Sequence, residues 1–293
     1  MRAKVAFFLS DTTFLSWRVG AWLKYVDQMH SGLGRLVRRK YAHTWLLKGR
    51  AVIEGQACHF ASHFLRGLAK QGGIRVKEGA SIVAHWGISS MWFSCSSRKR
   101  WPIRRLLYVG QMIVQKGVHT AISAFALLAE KPGFEHLKLT LVGGGLSQDY
   151  ENRLHKMVND KNISERVIFL GKIPREELPS VYSEHDVLLF PSEWEEPFAI
   201  TPLEAIASGL VVVGTATGGS GELFHNHETA MTFTTGDSAD CARAVTELIK
   251  SESAFTQIQS KALHHVQSNN KISDMIHKLE AALLALSEEQ REL

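Results

Sequence analysis

Cysteine is scarce: the chain has three (Cys58, Cys95, Cys241), far apart and without CxxC spacing. That pattern gives no disulfide framework and no zinc site, and makes a reducing cytosol the expected compartment. Long apolar runs are missing too, since no stretch approaches the roughly 20 residues that a membrane-spanning helix needs. The opening MRAKVAFFLSDTTF faintly imitates a secretion signal. Its apolar run ends at Asp11 after about five residues, too short for an h-region, so it reads as a buried strand. Acidic residues are nearly absent from the first third. Residues 1–105 hold 19 Lys+Arg against four acids (Asp11, Asp27, Glu54, Glu78), so the net +5 of the whole chain conceals +15 before residue 106 and −10 after it. Clusters at Arg35, Arg38, Arg39, Lys40 and at Arg98, Lys99, Arg100, Arg104, Arg105 supply much of the excess. Such a field fits either a solvated, soluble surface or an acidic partner such as phospholipid headgroups or a phosphorylated acceptor. Nucleic acid is not expected, because no zinc-finger, RRM-like or other reading module accompanies the charge.

What is present is an ordinary globular composition, 45% hydrophobic and 22% charged over 293 residues, enough for two modest domains or one large one. From residue 106 short apolar runs alternate with helical patterns. Strands are predicted in LLYVG (106–110), LKLTLVGGG (137–145), RVIFLG (166–171), DVLLFPS (186–192) and LVVVG (210–214). Helices are predicted over 118–131, 148–160, 176–185 and the stretch after Thr201, then over 238–250, 254–268 and 271–288. Continuous apolar strands between helices imply a parallel sheet covered on both faces, a doubly wound α/β domain. The first 105 residues suggest a thinner Rossmann-like sheet, with strands at 5–9, 51–55 and 81–85 and helices near 14–28, 34–47 and 58–71. The expected organisation is a partial N-terminal lobe (1–93), a linker (94–105), a main domain (106–270) and a C-terminal helix (271–293).

In an open parallel sheet, ligands bind at the carboxyl ends of the strands. Those ends are Gly110–Gly117, Gly143–Gly145, Gly171–Pro174, Pro191–Phe198 and Gly214–Gly221, rich in residues that let a ligand approach backbone amides. Lys116 lies just before a helix start, where its ammonium and the helix N-terminus could face one anion, or where it could simply be a solvated loop lysine. Gly143–Gly145 could be no more than a turn. His85 and His119 read as surface or satisfied core histidines. In EEPFAITPLEAIASG (195–209), Thr201, Pro202 and Glu204 fit a capping box at N-cap, N1 and N3, and Gly209 fits the C′ position. Glu204 therefore has a capping explanation. Glu196 has none: it follows Glu193 and Glu195 in one loop, where like charges need water or a ligand's donors.

In order, YVGQMIVQKGVHTAISAF, LVGGG, RVIFLGKIP, DVLLFPSEWEEPFAITPLEAIASG, VVVGTATGGSGEL and TTGD resemble the retaining GT-B glycosyltransferases of the family-4 type. AVIEGQACHFASHFLRGLAKQG and SIVAHWGIS resemble, more weakly, the last two βα steps of that family's acceptor-side lobe. The resemblance implies a complete C-terminal nucleotide-sugar-binding domain behind a truncated N-terminal lobe. It implies transfer of a sugar from a nucleotide diphosphate-sugar to a glycan or lipid-linked acceptor, without metal or cofactor. Glu196, of the family's paired glutamates, would contact the transferred sugar, and Glu204 would hold the ribose. Lys116 would neutralise the departing diphosphate, beside amides of Phe198, Ala199, Ile200 and Thr201. Gly110, Gln111, Gly143 and Gly144 would line the donor, and the segment around Ile173 would meet the base. The family often has Gly-Arg where this chain has Gly110-Gln111, which removes one phosphate cation. The short N-terminal lobe leaves open a non-catalytic or partner-dependent nucleotide-sugar-binding subunit, completed by a second chain. The basic N-terminal part suits peripheral contact with a membrane's inner face.

Overall fold

The computed structural model describes residues 7–9, 58–71, 81–95 and 101–288. They fall into two compact units, one running from Gly87 to Ile272, the other formed by residues up to Trp86 together with those from Ser273 onward. The unit with the main sheet thus begins at Gly87, ahead of the linker expected at 94–105.

In the N-terminal unit, β1 (Phe7–Leu9), β2 (Cys58–Phe60) and β3 (Ser81–Val83) form a parallel sheet in the order β1-β2-β3, with α1 (His63–Gln71) after β2. The helix expected over 58–71 is corrected here: its first three residues are a strand. Cys58, His59 and Phe60 are fully buried and pair on both sides, and the chain turns before Ser62, whose Oγ accepts the Leu65 N–H and starts the helix. The helices expected near 14–28 and 34–47 and the strand at 51–55 lie outside the described residues, as do both expected basic clusters except Arg104 and Arg105.

The larger unit contains β4 (Arg105–Val109), α2 (Val118–Ala129), β5 (Lys138–Val142), α3 (Gln148–Asp160), β6 (Val167–Gly171), α4 (Leu178–Ser183), β7 (Val187–Phe190), α5 (Ile200–Ala207), β8 (Val211–Gly214), β9 (Met231–Thr232), α6 (Ser238–Lys250) and α7 (Glu252–Asn269). A further helix, α8, spans Ile272–Glu288. The six strands are all parallel, in the order β6-β5-β4-β7-β8-β9. The central strands are the predicted apolar runs, and Leu106, Leu107, Leu188 and Val212 are completely buried. Full burial of each such side chain stabilises by about 1.5–3 kcal/mol. Ile168 and Leu170 stay exposed because β6 is an edge strand. Asp186 sets the register across the sheet's centre: its Oδ2 accepts the backbone N–H groups of Arg104 and Arg105 at 2.8 and 2.9 Å. Leu106 then stands opposite Val187. Asp237 caps α6 by accepting from the N–H groups of Ala239 and Asp240.

This strand order runs outward in one direction from β4 and in the other from β7. The two neighbours part at their carboxyl ends, and such a reversal opens a crevice between the loops that follow them. Among the described residues no helix is long and apolar enough to cross a membrane.

Candidate functional site

The loops after β4 and β7 flank that crevice, and their backbones are laced together. The Gln115 carbonyl accepts the N–H groups of Glu193 and Trp194 at 2.8 and 3.1 Å. Gly117, at φ +65°, passes so close that a Cβ there would stand 1.9 Å from the Pro191 carbonyl oxygen. Only glycine satisfies both demands. This close approach brings Lys116 Nζ to 2.5 Å from Glu196 Oε1. Ser192 Oγ donates to the same oxygen at 2.6 Å.

The loop after β8 fixes Glu196 from a third side. The Gly219 N–H donates to the Glu196 carbonyl at 2.6 Å, and Thr215 Oγ1 donates to the Ser192 carbonyl at 2.5 Å. The Glu196 side chain is only 7% exposed and that of Lys116 28%, so the carboxylate is enclosed while part of the lysine side chain stays open to solvent. A cation held in this way can offer its remaining donors to an arriving anion.

The glycines after β4 and β5 also meet. Gly143, at φ +135°, lies where a Cβ would be 1.8 Å from the Gly110 carbonyl oxygen, and its N–H donates to the Gly171 carbonyl at 2.7 Å. The stem of Lys172 crosses Gly144. The side chain of Gln111 is exposed, and the Gln111 backbone carbonyl accepts the Tyr108 hydroxyl at 2.8 Å. Ile173 is half-buried in the loop after β6.

At Glu204 the capping box is overturned. Helix α5 begins two residues early, at Ile200, with Ala199 as N-cap and no side-chain capping bond. Thr201 therefore sits at N2, Pro202 at N3 and Glu204 inside the helix, beyond reach of the free amides. Proline is tolerated at N3 because the first-turn N–H groups lack intrahelical partners in any case. Gly209 does stand at C′, at φ +86°. The Glu204 carboxylate instead accepts Arg175 Nη2 at 2.6 Å on Oε1 and the Tyr182 hydroxyl at 3.3 Å on Oε2. Burial pushes its carboxyl up to about 7, against the opposing pull of Arg175 and the Tyr182 hydrogen bond. Arg175 also lies over the Trp92 ring at 5.8 Å, and Trp92 meets Tyr182 edge-on at 5.4 Å. The N-terminus of α5 has no side-chain cap, with Phe198 buried just before it, so the first-turn N–H groups of Ile200 and Thr201 lack intrahelical partners and suit an anion.

The structure thus joins Lys116 to Glu196 and Gly110 to Gly143, while Glu204 has a separate set of partners. Sequence reasoning missed Ser192, Arg175, Tyr182 and Trp92. Ser192 had a weak signal, standing in the same strand-end loop four residues before Glu196; the other three meet only through tertiary packing. His119 is satisfied, as expected, between Tyr150 (2.9 Å from Nδ1 to the hydroxyl) and Glu193 (3.1 Å from Nε2).

The family model described as glycosyl transferases group 1 matches residues 98–271. A glycogen synthase of Mycobacterium tuberculosis is 32% identical over 170 residues, covering 57% of this chain and 39% of that protein. Human GDP-Man:Man(3)GlcNAc(2)-PP-Dol alpha-1,2-mannosyltransferase is 34% identical over 128 residues, 42% of this chain and 26% of that one. The chain therefore spans about two fifths or less of the length of these relatives. Among solved structures, Anabaena Alr3699/HepE in complex with UDP-glucose superposes with a TM-score of 0.75 at 21% identity, over 97% of this chain and 73% of that one. Sucrose-phosphate synthase from Thermosynechococcus elongatus superposes at 0.74 with 20% identity, over 98% and 69%.

Proposed function

The chain belongs to the glycosyl transferases group 1 family, and from that premise we propose that it transfers a sugar from a nucleotide diphosphate-sugar to a glycan or lipid-linked acceptor. The observation that carries the reading is the Lys116–Glu196 pair at 2.5 Å, standing where the strand order reverses. In this reading the bond between the sugar C1 and the diphosphate oxygen breaks. The leaving diphosphate gathers charge beside the Lys116 ammonium and the free amides of Ala199, Ile200 and Thr201. Glu196 holds a hydroxyl of the transferred sugar, and Glu204 takes the ribose. Lysine and helix amides supply the stabilisation, so no metal is assigned to the step. The acceptor oxygen bonds to C1 on the face the diphosphate leaves, with retention, and its proton passes to the departing phosphate.

The Alr3699/HepE complex with UDP-glucose supports the donor class, since that fold holds such a donor. Gln111 brings no charge, so Lys116 bears more of the leaving-group stabilisation than an arginine–lysine pair would require. The acceptor assignment rests on the +15 of residues 1–105, a field suited to a lipid-diphosphate carrier or an anionic membrane face. A screen of UDP-, GDP- and ADP-sugars by thermal shift, followed by donor turnover, tests the proposal. Lys116→Ala is expected to lower turnover by about 10²–10³-fold, the size usual for losing one oxyanion-stabilising donor. If Glu196→Gln and Lys116→Ala both leave donor affinity and turnover unchanged in folded protein, the site assignment is wrong. Binding without turnover by the chain alone, with turnover on adding a second polypeptide, would instead favour the partner-dependent reading.

A further inference from the structure

We infer that Arg175 is a positioning residue for donor binding, its guanidinium holding Glu204 as the carboxylate that ribose hydroxyls need as an acceptor. The inference rests on the reading of Glu204 as the ribose ligand. Glu204 has 4% of its side chain exposed and lies inside a helix whose other buried residues include Leu203 and Ile206. A carboxylate in such surroundings loses its charge unless it is paired. Among the described residues, the titratable groups that act on it are Arg175, from the loop after β6, and Tyr182, from α4. Of these only Arg175 carries charge.

Geometry keeps that cation in place. Arg175 Nη2 meets Oε1 at 2.6 Å while the guanidinium lies over the Trp92 ring. Trp92 is itself 1% exposed, its carbonyl accepts the Ser208 hydroxyl at 3.4 Å, and its ring supports Tyr182. Both partners of Glu204 are therefore seated on one buried indole. The Arg175 side chain is 65% exposed, so water solvates its outer face and the pair avoids the full desolvation of two enclosed charges. Each Glu204 oxygen uses one hydrogen bond, which leaves acceptor capacity on both for a vicinal diol.

The test is calorimetric titration of the full chain with UDP-glucose from pH 6 to pH 9. Its diphosphate, esterified at both ends, does not itself titrate in that range. Wild type is expected to lose affinity as the pH falls. In Arg175→Ala the midpoint of that profile moves to higher pH, so affinity at pH 7 drops about threefold or more and recovers by pH 9. Arg175→Lys restores most of the midpoint. Glu204→Gln binds weakly, with no pH dependence from this group.

If Arg175→Ala leaves the midpoint unchanged, or weakens binding equally at every pH, the inference is overturned while the ribose role of Glu204 stands. If Glu204→Gln binds UDP-glucose like wild type, the ribose role falls and the inference with it. Circular dichroism at each pH confirms that the variants are folded, and Arg175→Lys keeps the comparison decisive should the alanine variant fail to fold.

Discussion

Replacing Lys116 with alanine would leave Glu196 as a carboxylate with 7% of its side chain exposed and, among the described residues, no cation against it. Ser192 Oγ would remain as a donor at 2.6 Å, but a hydroxyl dipole does not offset a full charge. Breaking a buried ion pair by removing one partner costs about 3–5 kcal/mol. Lys116 is itself 28% exposed, so water screens part of the attraction, and the expected loss is nearer 2–3 kcal/mol. For a unit of this size that lowers Tm by roughly 5–10 °C. The opposite truncation is milder: Glu196→Gln strands only the ammonium, which can turn towards water, and costs about 1 kcal/mol. In the double variant, with neither charge left, the loss should fall well short of the sum. The assay is thermal unfolding of the four proteins at one pH and ionic strength. Equal Tm losses for the two single variants, or additive losses in the double variant, would refute the claim that Glu196 is an enclosed charge held by Lys116.

Two further outcomes follow from the geometry. Glu204 titrates at about 7 when folded against 4.5 for an unperturbed glutamate. The folded state therefore binds its proton first, and this group's contribution to stability falls as pH rises from about 4.5 to 7. The shift corresponds to up to about 3 kcal/mol, so Glu204→Gln should gain on wild type in Tm between pH 5 and pH 8; a constant gap would disprove the shift. Gly143→Ala should lower Tm by several degrees and abolish donor binding, because the new Cβ would enter the Gly110 carbonyl oxygen at a φ of +135°; retention of both properties would show that the two loops are not in contact.

The central strands were legible because burial on both faces makes each one a continuous apolar run, LLYV or VLLF, that no surface segment would carry. Glycine marked their carboxyl ends for a related reason: Gly117 and Gly143 stand where another loop's carbonyl oxygen leaves no room for a Cβ. Element ends were less legible. Thr201-Pro202-Leu203-Glu204 has every letter of a capping box, yet α5 starts at Ile200 with Ala199 as its N-cap, and local pattern carries no trace of that two-residue shift. The strand Cys58–Phe60 is hidden in the sequence because three residues are too few to show alternation and the helical pattern of 63–71 runs straight on from them. In the site, Lys116 and Glu196 could be named separately, but not their contact. Arg175 looked like any exposed loop cation, since its meaning depends on Trp92, more than eighty positions away.

The pairing of Lys116 with Glu196 also constrains what can enter. Lys116 already has a counter-ion in Glu196, so an incoming anion competes with a tethered carboxylate. A lone sugar hydroxyl would gain little from that exchange. A diphosphate joined to a sugar can engage the ammonium through its oxygens while the sugar's hydroxyls donate to the carboxylate, satisfying both halves at once. In the proposed reading the donor therefore answers both charges of the pair, whereas a sugar alone offers nothing to the ammonium.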